Sequence, residues 1–122
     1  MTAKGARVLL VEDEPVIAAR IESILAPTSS IVTVADGDTA IETLIEEPYD
    51  CVILDLTLPR LSGFDVLRHM TLRQPEMLRN TIIMTAATDE SLQFIDPNSV
   101  AGVLRKPFPL DEVEALVDRV TR

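Results

Sequence analysis

The stretch of sequence that decides the fold is LLVEDEP, residues 9–15. A short apolar run of strand-forming residues stops there at Glu12, Asp13 and Glu14, and Pro15 follows in a position that suits the first turn of a helix. Three neighbouring carboxylates repel one another, and beside a low-dielectric interior they require a cation or a proton. The stretch therefore predicts a strand-to-helix junction that carries a charged site.

The rest of the chain alternates in the same way between strand-like and helix-like segments. The apolar runs predicted as strands are residues 7–11, 31–35, 51–56, 81–85 and 101–105. The segments with helical periodicity are residues 14–26, 37–47, 62–73 and 110–120. In the second helix we expect Ile41, Leu44 and Ile45 to share one face, and residues 87–100 have room for only a short helix before Pro97. Because the strands read as near-continuous apolar runs, the pattern predicts an α/β fold with a five-stranded parallel sheet and helices on both faces.

Composition narrows the classes of function. The chain has 122 residues, one cysteine and a net charge of −9 from 20 acids and 11 bases. Such an acidic surface discourages contact with DNA, RNA and anionic lipid, and an aromatic content of 3% without tryptophan argues against base stacking. No apolar run has the length of a signal core or a membrane span, so we expect a cytoplasmic protein with no nucleic-acid or membrane partner. We expect Cys51 to be a buried core residue and His69 to be solvated on its helix.

Charged and polar residues follow the predicted strands at their carboxyl ends, where open α/β sheets bind ligands. The first strand ends at Glu12 and Asp13, the third at Asp55 and the fourth at Thr85, and the fifth runs into Lys106. Each residue alone has an ordinary explanation, as a helix N-terminal charge, a strand-forming threonine or a solvated lysine. Together they place carboxylates, a hydroxyl and an ammonium on one edge of the sheet, and clustered hard oxygens of this kind suit Mg²⁺.

Four stretches, in this order, resemble the receiver (response-regulator) domains of two-component signalling: LLVEDEP, CVILDLTLPRLSGFDVL, IIMTA and RKPF. The resemblance covers essentially the whole chain. It implies a flavodoxin-like, doubly wound sheet of strand order 2-1-3-4-5. It also implies a phosphoprotein that takes a phosphoryl group from a sensor histidine kinase or a histidine phosphotransfer protein. Output would pass through contacts with a downstream protein, and homodimerisation is open.

The resemblance also implies roles for individual residues. Asp55 would be the phosphoacceptor, Thr85 would hydrogen-bond the transferred group, and Lys106 would pair with it before a cis peptide bond to Pro107. The residues implied as Mg²⁺ ligands are Glu12, Asp13, Asp55 and, through its backbone carbonyl, Thr57. The chain departs from the family pattern at Val103, three positions before the lysine, where many members carry an aromatic residue.

We expect a single receiver domain over residues 1–122 with no output domain, which catalyses only its own phosphorylation and dephosphorylation. Two alternatives stay within the family: a phosphorylation-independent binding module, and a receiver fragment of a larger regulator or hybrid kinase. Two others share parts of the chemistry. A flavodoxin-like cofactor module would want a Ser/Thr/Gly-rich loop where this chain has acids, and a haloacid-dehalogenase-like phosphatase would want an aspartate in place of Thr57.

Overall fold

A computed structural model describes residues 5–58, 62–86 and 95–122 of the chain. Five strands form one parallel sheet in the order β2-β1-β3-β4-β5, which confirms the fold class and the strand order. The strands are β1 (Ala6–Val11), β2 (Ser29–Val34), β3 (Cys51–Asp55), β4 (Thr81–Thr85) and β5 (Gly102–Arg105). The α-helices in the described ranges are α1 (Pro15–Leu25), α2 (Gly37–Glu46), α3 (Gly63–Arg73) and α4 (Leu110–Thr121). A 3₁₀ helix over Pro75–Asn80, which the sequence pattern did not predict, leads into β4.

Helices cover both faces of the sheet, so the central strands are buried on both sides. Successive side chains of a strand point to opposite faces. Leu9 of β1 accordingly packs with residues of α2 and α3, whereas Leu10 packs with residues of α1 and α4. All five residues of β3 and all five of β4 are buried. This two-sided burial explains why the strands are near-continuous apolar runs in the sequence.

The start of α3 lies against the backbone at the end of β3. Ser62 caps the helix, because its hydroxyl accepts from the Asp65 N–H while its own N–H donates to the Asp65 carboxylate (3.0 Å). The Gly63 N–H donates to the Leu56 carbonyl (3.1 Å). A Cβ at Gly63 would lie 2.5 Å from the Leu56 Cα and closer still to the Asp55 carbonyl oxygen. Only glycine therefore permits this approach, which fixes the backbone that follows Asp55.

Two expectations about helix faces are wrong. Ile45 is 65% exposed, although Leu44 is buried and Ile41 packs against the core. A helix turns about 100° per residue, which carries Ile45 past the buried stripe of Ala40 and Leu44. His69 is half-buried rather than solvated, and its Nε2 atom is inaccessible to water.

Two further structural expectations concern Cys51 and the segment 87–100. Cys51 is fully buried as a free thiol. Most of the short helix predicted within 87–100 lies outside the described ranges. In the parts of the chain that the structure covers, every helix is too short or too polar to cross a bilayer.

Candidate metal and phosphoryl site

Two acidic residues lie where β1 ends, between the ends of its two neighbours in the sheet. The Glu12 N–H continues the pairing with β2 by donating to the Val34 carbonyl (3.0 Å), and β1 then gives way to α1 at Pro15. Glu12 is 2% exposed, whereas Asp13 is an exposed residue. Asp55 ends β3 and is 1% exposed. A carboxylate oxygen from each of these three acids lies within 4.8 Å of the others.

Lys106 supplies the positive charge of this edge. Its ammonium nitrogen lies 2.9 Å from Asp55 Oδ2 and 3.0 Å from Glu12 Oε1. The Lys106 N–H donates to the Thr85 carbonyl (2.8 Å), which holds the backbone of the lysine against the end of β4. The Lys106–Pro107 peptide bond is cis, as the resemblance implied. The structure thus brings together Glu12, Asp13, Asp55 and Lys106, as the strand-end argument predicted.

The two threonines border this cluster. The Thr57 N–H donates to Asp55 Oδ1 (2.9 Å), so the residue expected to offer its backbone carbonyl lies directly beside the carboxylate. Thr85 is fully buried at the end of β4, opposite Arg105 of β5 and one residue beyond the Asp55 partner Met84. Both threonines therefore lie on the edge of the sheet where they were expected. The sequence argument missed Gly63, for which the signal was a glycine directly after the Ser62 cap.

Comparison with known proteins agrees with this arrangement. A family model described as the response regulator receiver domain matches residues 8–118. The chain belongs to the response regulator receiver domain family. The response regulator protein PmrA of Pseudomonas aeruginosa is 36% identical to this receiver domain over 118 residues, which cover 95% of this chain and 52% of that protein. The chain spans about half the length of the curated relatives it matches.

Two solved structures extend the likeness to three dimensions. One is the receiver domain of sensor histidine kinase PA1611 from Pseudomonas aeruginosa, which has a magnesium ion coordinated in its active-site cleft. It has a TM-score of 0.82 and 28% identity to this receiver domain, covering 96% of this chain and 98% of that one. The other is the response regulator protein TrrA from Thermotoga maritima in complex with Mg²⁺-BeF. Its TM-score is 0.81 and its identity 26%, covering 94% of this chain and 98% of that one.

The protein environment changes the acid–base behaviour of the receiver site. Burial raises the pKa of Glu12 to about 7, and the neighbouring Asp55 adds to that rise. A hydrogen bond from the Glu14 N–H to Glu12 Oε2 (3.1 Å) and the Lys106 ammonium both act in the opposite direction. For Lys106, burial lowers the pKa, but its pairing with the Asp55 and Glu12 carboxylates outweighs burial, and the net shift of the pKa is upward. The lysine is therefore a fixed positive charge at neutral pH.

The residues present fit a hard divalent cation. The Lys106 ammonium lies against two of the three carboxylates, those of Glu12 and Asp55, and the exposed Asp13 completes the acidic cluster. Within the described ranges no donor makes a well-aligned hydrogen bond to Glu12 Oε1, although the Lys106 nitrogen is 3.0 Å away. A buried oxygen with spare coordination capacity, next to two further carboxylates, is the donor set that Mg²⁺ favours.

A depression lies beside the site, between α1 and the segment after β5. Its volume is about 360 Å³. It is lined by Lys106 itself and by Glu14, Ile17, Arg20, Pro107, Phe108 and Leu110. Val16, which is 65% exposed, is the neighbour of Ile17 on α1. This largely apolar surface, which also includes the charged residues Glu14 and Arg20, thus adjoins Lys106, whose ammonium contacts Asp55.

Proposed function

We propose that Asp55 accepts a phosphoryl group from a sensor histidine kinase or a histidine phosphotransfer protein, in a Mg²⁺-dependent reaction. The observation that carries the proposal is the Asp55 carboxylate itself. It is buried at the end of β3, has the Glu12 and Asp13 carboxylates within 4.8 Å, and lies 2.9 Å from the Lys106 ammonium. An aspartate in this position has a nucleophilic oxygen, a counter-charge and a set of metal ligands around it.

The chemistry requires relief of charge repulsion. The Asp55 oxygen forms the new O–P bond while the N–P bond of the phosphohistidine breaks, and the departing imidazole nitrogen keeps the electron pair and takes up a proton. A carboxylate is a poor nucleophile towards an anionic phosphoryl group, so catalysis consists mainly of positioning and electrostatics. Mg²⁺ bound by Glu12, Asp13, Asp55 and the Thr57 carbonyl would neutralise charge on the phosphoryl oxygens. Lys106 acts on the same oxygens as a point charge.

Thr85 and Lys106 then respond to phosphorylation of Asp55. In our proposal the Thr85 hydroxyl hydrogen-bonds a phosphoryl oxygen, and Lys106 shifts its pairing from the carboxylates to the new group. A local change in charge is thereby converted into a change in the packing around β4 and β5. Val103 of β5 is half-buried and packs against the core on the α2–α3 side. This valine stands where many receiver domains carry the aromatic side chain that accompanies the threonine. Output through contacts with a downstream protein would therefore rest on the backbone and on Thr85.

The donor protein must bring its phosphohistidine to a buried carboxylate. We propose that it uses the depression lined by Ile17, Pro107 and Phe108, because this apolar surface includes Lys106, whose ammonium contacts Asp55. Arg20 is exposed in the lining of this depression, and Arg20→Glu should then slow phosphorylation by a protein donor while leaving phosphorylation by a small acyl phosphate unchanged. This comparison separates docking from chemistry.

Intact-protein mass spectrometry tests the chemical step. The protein is incubated with a small acyl-phosphate donor, with Mg²⁺ or with excess chelator, as wild type, Asp55→Asn and Asp118→Asn. Asp118 is a matched control, because it lies near the end of α4 and pairs with Arg122 on the surface. We expect one phosphoryl adduct on the wild type and on Asp118→Asn with Mg²⁺, and none on Asp55→Asn or with chelator.

The other outcomes contradict the proposal in distinct ways. An adduct that survives Asp55→Asn would place the nucleophile on another residue. No adduct on the wild type, either with the small donor or with purified histidine kinases, would favour a receiver that acts as a binding module without phosphorylation. An adduct that forms equally well in chelator would remove the metal from the mechanism.

A further inference from the structure

Two strongly exposed apolar side chains lie on neighbouring helices of one side of the molecule. Ile45 near the end of α2 is 65% exposed, and Leu72 near the end of α3 is 71% exposed. Beside them is a cavity of about 460 Å³, lined by Ile45, His69, Arg73 and Gln74. A single exposed apolar side chain is ordinary. Ile45 lines this cavity, and Leu72 directly precedes the lining residue Arg73 on α3, so the two side chains and the hollow form one patch.

The charges on the two helices are opposite in sign. The exposed charged residues of α2 are Glu42 and Glu46, and those of α3 are Arg68 and Arg73. The chain as a whole carries −9, so two copies repel each other over most of their surface. They attract each other where α2 of one copy faces α3 of the other. A partner of a single charge sign would be repelled by one of the two helices, so a second copy of this chain fits the face best.

The heights of the side chains along the helices allow this pairing. The Gln74 side-chain amide donates to the Leu44 carbonyl (3.0 Å), so the last turns of α2 and α3 lie side by side. A two-fold axis that runs parallel to these helices within the interface places α2 of each copy over α3 of the other and preserves these heights. Ile45 then lies opposite Leu72 of the second copy, and Glu46 lies opposite Arg73 of the second copy. Each contact occurs twice.

We infer that the α2–α3 face, defined by Glu42, Ile45, Glu46, His69, Leu72 and Arg73, binds a second copy of this chain about such a two-fold axis. The face is independent of the phosphoryl chemistry proposed above. Both helices begin at the carboxyl edge of the sheet, where Asp55 lies, and the paired residues are in their last turns, at the opposite edge. Dimerisation through this face therefore leaves Asp55 accessible to a donor.

Sedimentation velocity on the full chain, across a wide range of protein concentration, tests the inference. We expect a monomer–dimer equilibrium, with Leu72→Arg raising the dissociation constant at least ~10-fold. Val16→Arg is the matched control, because Val16 is 65% exposed on α1, on the other face of the sheet, and should leave the equilibrium unchanged. Circular dichroism of each variant verifies that these surface substitutions leave the fold intact.

A charge exchange tests the pairing of the helices. Glu46→Arg and Arg73→Glu each place like charges opposite one another, and each should weaken dimerisation about threefold. The double variant restores opposite charges and should return to the wild-type dissociation constant. A wild type that remains monomeric at every concentration overturns the inference. So does a dimer that is insensitive to Leu72→Arg, or one that is lost with Val16→Arg.

Discussion

Lys106 is the residue that makes the buried carboxylates compatible with a folded protein. Its side chain is 17% exposed, and its ammonium reaches one oxygen of Asp55 and one of Glu12. Burial of carboxylates without a counter-charge costs several kcal/mol, so a single cation bridging two of them removes much of that cost. In the function proposed above, the same ammonium would pair with the phosphoryl group on Asp55, which lies beside it.

A second residue-scale effect concerns the buried thiol. Burial raises the pKa of Cys51 from its ordinary value of 9.0 to about 12. Between these values the unfolded chain has lost its thiol proton while the folded chain keeps it, so stability falls as pH rises. We expect the free energy of unfolding of Cys51→Ala, measured by urea denaturation, to lack this decline. The wild type should lose up to about 1.4 kcal/mol per pH unit relative to the variant above pH 9.

Alkylation provides an independent check on Cys51. A thiol reagent should leave the native protein unmodified at neutral pH and label it once it is unfolded in urea. Rapid labelling of the native protein would contradict the burial of Cys51, and parallel pH profiles of the wild type and Cys51→Ala would contradict the shift in its pKa.

The positions of Glu12, Asp13, Asp55 and Lys106 could be predicted because the carboxyl ends of parallel strands meet at one edge whatever the details of packing. The depth of each side chain could not be predicted. Glu12 and Asp13 are adjacent in sequence, yet one is buried and the other exposed. That difference depends on where β1 stops pairing with β2, which is a property of the assembled sheet.

At the scale of elements, the junction between β3 and α3 determines where the Asp55 carboxylate points. The Leu56 N–H donates to the Met84 carbonyl of β4 (3.0 Å), and the Leu56 carbonyl accepts from the Gly63 N–H (3.1 Å). The strand is therefore tied on one side to the sheet and on the other to the first turn of α3. Leu56, the residue directly after Asp55, therefore has little backbone freedom. The Asp55 side chain leaves from this fixed backbone, and the Thr57 N–H and the Lys106 ammonium contact its carboxylate.

Gly63→Ala should disturb this junction. The added methyl group would overlap backbone atoms of Leu56, and a backbone cannot move aside as a flexible side chain can. We therefore expect the free energy of unfolding to fall by about 1–3 kcal/mol. Gly102→Ala is a matched control, because its Cβ would meet the flexible Leu116 side chain at 3.0 Å. Urea denaturation of both variants, together with the rate of adduct formation at Asp55, measures the effect. An equal or smaller loss for Gly63→Ala than for Gly102→Ala would contradict the close approach.

Element types followed from periodicity, and their boundaries agree with the structure within about two residues. Two features could not be predicted in this way. The 3₁₀ helix over Pro75–Asn80 is too short to produce a periodic pattern. The exposure of Ile45 depends on how wide a stripe of α2 the sheet and α3 cover, because apolar side chains at helical spacing mark a face but not its edges.

At the scale of the whole molecule, the arrangement of helices separates the protein into two apolar layers and one charged edge. Periodicity predicted five strands and parallel pairing, but the order 2-1-3-4-5 came from the family resemblance, since local patterns do not determine which strands are neighbours. The order matters for the site. It places β1 and β3 side by side at the centre, and this adjacency brings Glu12 and Asp13 of one strand end to Asp55 of the other.

If Mg²⁺ binds these acids as we propose, their concentration at one edge should couple metal binding to the stability of the entire fold. The unfolded chain scatters Glu12, Asp13 and Asp55, so a cation that requires all three binds the native state alone. At a Mg²⁺ concentration of ~10 times the dissociation constant, the free energy of unfolding should rise by about 1.4 kcal/mol. For a domain of this size the corresponding increase in Tm is about 5–6 °C. Calorimetry in chelator and in Mg²⁺ measures this difference.

Asp55→Asn should lose most of the increase in Tm, whereas Asp118→Asn should keep all of it. An equal increase in Asp55→Asn would mean that Mg²⁺ stabilises the protein from another site.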